Sequence, residues 1–235
     1  MIDLNHHGPT ARLSLLIDRA LEALPETPRN YLGASRIGEP CARALQFEFF
    51  NASKEKPFSG QTLRTFAIGH ALEDLAVGWL QAAGVIIGGR QSSFSTANGL
   101  IRGHCDGVIQ GGPIDFGPFP RFLEIKTASA KKWREFEKHH IQKANPVYYA
   151  QVQMYMSYLN LQNPALFMVI NKDSSELYFE DVIFDPQAAQ EALDRGVRII
   201  QACLAGELLP GVSDDPNFYL CPWCSWQSRC HDTGF

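Results

Sequence analysis

Residues 100–127 read LIRGHCDGVIQGGPIDFGPFPRFLEIKT. Two runs of strand-like composition, 100–109 and 121–127, flank a connector, 110–120, dense in glycine and proline. That pattern predicts a strand, a hairpin loop and a second strand. Side chains alternate along a strand, so Glu124 and Lys126 share one face while Ile125 points away. The first strand carries Gly103-His104-Cys105-Asp106. With Asp106 across the ladder on the same face, two carboxylates and one ammonium converge. Clustered carboxylates disfavour each other's charge unless a cation is near, and hard oxygen ligands suit Mg²⁺ or Mn²⁺. A lysine beside such an ion can orient a water for in-line attack on phosphate. Taken alone, an acid-x-lysine triplet equally describes a charge pair on a half-exposed strand.

The flanking sequence extends this unit. Upstream, residues 68–83 place Ile68, Leu72, Leu75, Ala76, Trp79, Leu80 and Ala83 at helical spacing, with Gly84 as a stop. Glu73 adjoins that stripe, so it sits at the core boundary, with His70 beside it. Shorter helices are expected at 11–24 and 41–50, and strands at 85–87 and 92–96. Downstream, a helix near 130–140 precedes a second one that starts at Asn145 as N-cap, with Pro146 at its first position, and runs to about residue 159. This second helix presents Gln151 and Tyr155 on one face. Strands at 166–171 and 177–184, then a helix over 186–205, complete the order. Helices alternating with strands in this way give an α/β domain with a central mixed sheet.

Composition narrows the class. The chain has 235 residues, 45% hydrophobic and 20% charged, with a net charge of -4. That is ordinary globular usage, which excludes disordered and fibrous classes. No apolar run approaches the roughly 20 residues a membrane helix needs. The opening MIDLNHHGPT lacks a charged-then-apolar signal pattern, so a cytoplasmic protein without membrane contact is expected. The acidic balance argues against coating nucleic acid by bulk charge. It leaves room for a local basic groove. Lys131, Lys132, Arg134, Lys138 and Lys143 follow the acidic motif directly and form either a phosphate-binding patch or a solvated helix face. Trp133 and Tyr148 are candidate stacking partners for unpaired bases.

The ordered set Gly69-x-x-x-Glu73, Gly103-x-x-Asp106, Glu124-x-Lys126 and Gln151-x-x-x-Tyr155 resembles the PD-(D/E)XK nuclease superfamily, closest to its RecB-like exonuclease branch. The resemblance implies a restriction-endonuclease-like core and a metal-dependent DNA exonuclease. Asp106 and Glu124, with the backbone carbonyl of Ile125, would hold Mg²⁺ or Mn²⁺. Lys126 would assist the attacking water, and Gln151 and Tyr155 would border the site. Many RecB-like members carry histidine where this chain has Glu73. A glutamate there is typical of viral-type exonucleases, so Glu73 is the expected additional ligand and His70 a second candidate. The implied partner is DNA, single-stranded or at its ends, within a possible nucleoprotein complex.

Six cysteines remain to be placed. Cys221, Cys224 and Cys230 follow a C-x2-C-x5-C spacing, and Cys41 lies far upstream. By residue chemistry such a set suits zinc or an iron–sulfur cluster. One cysteine before the nuclease core and three after it resembles the CRISPR-associated exonuclease family and the AddB-type nuclease domains, and that resemblance implies a structural 4Fe–4S cluster. It implies one nuclease domain over 1–235, with a core at 61–205 and a cluster-binding subdomain formed by 32–60 and 206–235. Cys105 and Cys203 are expected in the core. The expected setting is DNA end processing, in phage recombination or CRISPR spacer acquisition. The alternative is a non-catalytic cysteine-metal protein that uses a nuclease-like fold for DNA binding or assembly, or a zinc-binding interaction protein.

Overall fold

The computed structural model describes residues 11–232. The opening segment read above for a targeting pattern, residues 1–10, lies outside the described residues, as do 233–235. Seven helices are named here: α1 (Ala11–Glu22), α2 (Ala42–Phe49), α3 (Gly60–Ala82), α4 (Ala130–Ala144), α5 (Pro146–Tyr158), α6 (Pro186–Ala205) and α7 (Gln227–Asp232). The strands are β1 (Leu32–Gly33), β2 (Ile86–Gly88), β3 (Ser93–Thr96), β4 (Ile101–His104), β5 (Gly107–Gly111), β6 (Arg121–Ala128), β7 (Ala165–Asn171) and β8 (Leu177–Val182). Five of them form a mixed sheet ordered β2-β5-β6-β7-β8, and β1, β4 and β3 form a smaller sheet. The expected α/β class is found.

Within the large sheet β6 and β7 run parallel, and the other neighbours are antiparallel. A parallel pair requires a long crossover, and α4 with α5 supplies it. Helices cover both faces of β7, and all seven of its residues are buried. On one face Ala76, Val77 and Leu80 of α3 pack against Ile109, Leu123, Ile125 and Met168. On the other, Phe136, Val152, Tyr155 and Ile199 from α4, α5 and α6 pack against Phe122, Phe167 and Val169. Ile125 and Glu124 therefore face opposite layers, and this places the acidic side chain under α5.

Three elements differ from expectation. The strand expected over 100–109 is broken at Cys105-Asp106. Residue 105 stays with the small-sheet side, its amide donating to Ser92 O (3.1 Å) and its carbonyl accepting from Gln91 N (2.9 Å), whereas Gly107 crosses to pair with Leu123 of β6. Asp106 thus sits in a bend between two sheets rather than on a ladder. The helix expected from Ile68 starts at Gly60, where the Ser59 hydroxyl accepts from Thr62 N at 3.2 Å. Its apolar stripe is split: Ile68, Leu75 and Trp79 are exposed while Ala76, Val77 and Leu80 are buried. The second half of α3 packs on the sheet through those buried residues. Alongside the first half lies α1, tied by the Arg64–Asp18 ion pair and by Gly60 N donating to Glu22 (2.7 Å). Finally, α4 continues to Ala144 across a kink at His140, whose φ is 57°.

The expected start of α5 is present: Asn145 accepts from Tyr148 N at 3.3 Å and Pro146 follows. Beyond α6 the chain returns over α2. Gln46 bonds the carbonyl of Glu207 and the amide of Leu209, each at 2.7 Å. No helix among the described residues is long and apolar enough to cross a membrane.

Candidate active site

Alternation along β6 points Glu124 and Lys126 to the same side, and they form an ion pair. Glu124 is 0% exposed. Its Oε1 accepts from Lys126 Nζ and from Gln151 Nε2, the latter at 2.7 Å, while Oε2 is buried with no partner. Gln151 is itself buried, which rules out a solvated helix face, and its Oε1 also lacks a partner. The Lys126 ammonium lies 5.0 Å from the centroid of the Tyr148 ring. Asp106 reaches the same strand from its bend: Oδ2 accepts from Ile125 N at 2.7 Å. The carboxylate thereby holds the main chain between the two other acidic-motif residues.

Glu73 completes the cluster from α3. Its carboxylate accepts from Gln91 Nε2 at 3.2 Å, and His70 Nδ1 stands 4.0 Å away. His70 is 83% exposed at its side chain, on the outer side of the cluster. Arg90, paired with Asp74 at 2.5 Å, brings a positive charge to bear on Glu73 and Asp106.

The charges are strongly coupled. Burial, reinforced by the Asp106 charge, pushes Glu73 up to about 7 against the pull of Lys126 and Arg90. Burial pushes Glu124 up to about 8; Lys126 opposes this, and the Asp106 and Glu73 charges add to it. Asp106 is raised by burial despite Lys126 and the Ile125 amide. Burial pulls the Lys126 ammonium down, but Glu124 and Asp106 outweigh it and hold it above the usual lysine range. Three carboxylates thus share one ammonium.

Such a donor set suits a hard divalent cation. It offers hard oxygen donors, one carboxylate oxygen among them buried and without a partner, and its clustered acidic groups favour a bound cation. Among the described residues no three His, Cys, Asp or Glu side chains stand in a ligating arrangement.

The Tyr155 hydroxyl donates to His104 O at 2.9 Å, within reach of the Glu124 and Asp106 charges. One expected role changes. Trp133, expected as a base-stacking surface, is 7% exposed and donates to Val169 O at 3.3 Å. Its indole belongs to the core because α4 lies flat on β7. The cations Lys131, Lys132, Arg134, Lys138 and Lys143 are exposed. Gln91 and Arg90 were not anticipated from the sequence. The Gly88-Gly89 turn before them was the available signal, and it indicates a loop but no role.

Cys105 and Cys203 are buried in the main core. Cys41 caps α2, and Cys221 and Cys224 flank a single tight turn. Burial raises the Cys221 thiol, and Cys230 and Cys41 add to it; Cys224 is raised by burial and by Cys41, Cys230 and Cys221. The four thiols thus feel one another's charge, but among the described residues they stand in no ligating arrangement. Their surroundings are stitched together. Arg43 donates to Leu209 O (2.8 Å) and to Cys230 O and Sγ (3.1 and 3.4 Å). Trp226 Nε1 donates to Ala52 O (3.0 Å). All six cysteines are free thiols.

The fold is similar to that of an alkaline exonuclease (LHK-Exo) from Laribacter hongkongensis, at 15% identity over 82% of this chain and 93% of that one, with a TM-score of 0.53. LHK-Exo in complex with dAMP matches over the same shares at 15% identity and a TM-score of 0.51. A third structure, SSO0001, aligns over 93% of this chain and 95% of its own at 16% identity, with a TM-score of 0.46. No protein-family model and no curated protein sequence matches the chain. At such identities the likeness is one of fold.

Proposed function

We propose that this chain is a metal-dependent deoxyribonuclease that removes nucleotides from DNA ends. The observation that carries the reading is the Glu124 carboxylate. It is fully buried, braced through Oε1 by Lys126 and Gln151, and without a partner at Oε2. A buried carboxylate oxygen without a protein partner calls for an ion or a water beside it. The likeness in fold to an alkaline exonuclease, one form of it in complex with dAMP, supports a nucleic-acid end as substrate.

In this reading Asp106, Glu124 and the Ile125 carbonyl hold Mg²⁺ or Mn²⁺, with Glu73 as the fourth donor and His70 on its outer side. The bound ion supplies Lewis acidity and positive charge at the scissile phosphate. Lys126, fixed between Glu124 and the Tyr148 ring, orients the attacking water by hydrogen bonding. Gln151 keeps the Glu124 carboxylate aimed. Exposed Lys131, Arg134, Lys138 and Lys143 contribute phosphate contacts. The activity fits DNA end processing, in phage recombination or CRISPR spacer acquisition.

The cysteine group is part of the same proposal. Cys41, Cys221, Cys224 and Cys230 bind a 4Fe–4S cluster that fastens the returning tail to α2. What supports this is the donor set and the bonds that bring Cys230 to Arg43. Anaerobically purified protein should be brown and contain iron and sulfide; colourless protein with stoichiometric zinc contradicts the cluster. The nuclease reading is tested by Lys126→Ala with DNA and Mn²⁺: cleavage should vanish, and wild-type rates in that variant contradict it.

A further inference from the structure

We propose that Gly103 and Tyr155 form a lock that fixes the Asp106 bend, so that Tyr155 is a positioning residue acting through the main chain. The proposal rests on the nuclease reading only for its kinetic readout.

Tyr155 is 2% exposed and bridges the two sheets. Its ring stacks on Phe122 of β6 (centroids 5.3 Å apart, planes at 7°) and tilts against Phe94 of β3 (5.3 Å, 50°). From that seat its hydroxyl donates to His104 O, two residues before Asp106. The approach depends on position 103 having no side chain. A Cβ there would fall on the Tyr155 hydroxyl, well inside van der Waals contact, and would lie 3.1 Å from Ala34 Cβ and 3.2 Å from Tyr155 Cζ. The requirement for glycine at 103 is therefore one of space.

The bend is bonded at three successive residues. His104 is held by Tyr155; Cys105 by Ser92 O and Gln91 N, with its thiol on Gly89 O at 3.2 Å; Asp106 by Ile125 N. The first bond is the one reaching it from α5, the helix that also carries Gln151. One helix therefore aims both carboxylates: Glu124 through the Gln151 amide, and Asp106 through Tyr155 and the His104 carbonyl. Side chains four apart on a helix lie on the same face, so the two bonds are set by one rigid element.

The test compares wild type, Tyr155→Phe, Gly103→Ala and the double variant. Readouts are melting temperature, Mn²⁺ affinity by calorimetry, and kcat and KM on linear DNA. Tyr155→Phe should melt close to wild type, with kcat about tenfold lower, KM within about twofold, and Mn²⁺ binding weakened in parallel. Gly103→Ala should lose both Mn²⁺ affinity and melting temperature. The double variant should recover part of each, because removing the hydroxyl vacates the space the new methyl needs. Wild-type kcat and Mn²⁺ affinity in Tyr155→Phe overturn the proposal, and so does a double variant no better than Gly103→Ala. If wild type binds Mn²⁺ and cuts no DNA, the nuclease reading fails while the affinities still decide the lock. If wild type binds no Mn²⁺, the melting temperatures of the double variant and Gly103→Ala decide it.

Discussion

Gln151 Nε2 stands 2.7 Å from Glu124 Oε1, and the same carboxylate leaves Oε2 buried without a partner. The amide fixes the carboxylate's orientation, and the orientation determines which oxygen remains open. Replacing Gln151 by Leu removes a buried hydrogen bond and leaves its acceptor one partner short, a loss of about 1–3 kcal/mol. Chemical denaturation should show that loss, and kcat should fall more than KM rises. A variant with unaltered kcat contradicts the bracing role.

Lys126 is the one ammonium paired with Glu124 among the described ion pairs. Lys126→Met should therefore lower stability by about 3 kcal/mol, because it leaves a buried carboxylate uncompensated. Urea unfolding of the metal-free protein measures this. Stability equal to wild type would mean that Glu124 does not depend on Lys126.

Glu55 fastens the tail. Its carboxylate accepts from the amides of Ser228 (2.9 Å) and Arg229 (2.7 Å). Burial, the largest single influence, raises its pKa, but these amides together with the Ser228 side chain and the Arg229 charge outweigh it and hold the carboxyl below the usual range. A depressed folded pKa stabilises above the unfolded value and stops doing so as pH falls through the folded one. Protease cleavage between residues 210 and 232 should therefore rise as pH drops below the ordinary carboxylate range, and Glu55→Gln should show it at neutral pH. Equal resistance in that variant contradicts the clamp.

The exposed cations of α4 should govern salt dependence. Lys131→Gln combined with Arg134→Gln should weaken DNA binding across sequences and lower the slope of log affinity against log salt by up to about 2. Fluorescence anisotropy at several salt concentrations measures it; an unchanged slope places the phosphates elsewhere. Trp133→Phe should leave DNA affinity unchanged, because the indole is buried against Val169.

Much of the site was legible in the sequence because it follows from local periodicity. Alternation in Phe122–Lys126 put Glu124 and Lys126 together, and the Asn145-Pro146 start fixed α5 and with it the shared face of Gln151 and Tyr155. What was hidden depends on tertiary contacts. The break at Cys105-Asp106 arises because the chain changes sheets there, and two flanking glycines alone do not encode that. The split of the α3 stripe depends on which edge of it the sheet covers: Leu75 and Trp79 are exposed beside the buried Ala76 and Leu80, and the spacing is the same whether covered or not. The link between Gly103 and Tyr155 joins residues far apart in sequence through a bond to a main-chain carbonyl, which no side-chain pattern announces.

The central claim is that Asp106 and Glu124 make this fold a metal-dependent nuclease acting at DNA ends. The most direct measurement follows end-labelled linear DNA, single- and double-stranded, beside a covalently closed circle, with Mg²⁺, Mn²⁺ or chelator, for wild type and Asp106→Asn. Nucleotides should be released progressively from linear DNA in a reaction that requires the divalent ion and disappears in Asp106→Asn. No release from any linear substrate with either ion, or equal release by Asp106→Asn, contradicts the claim.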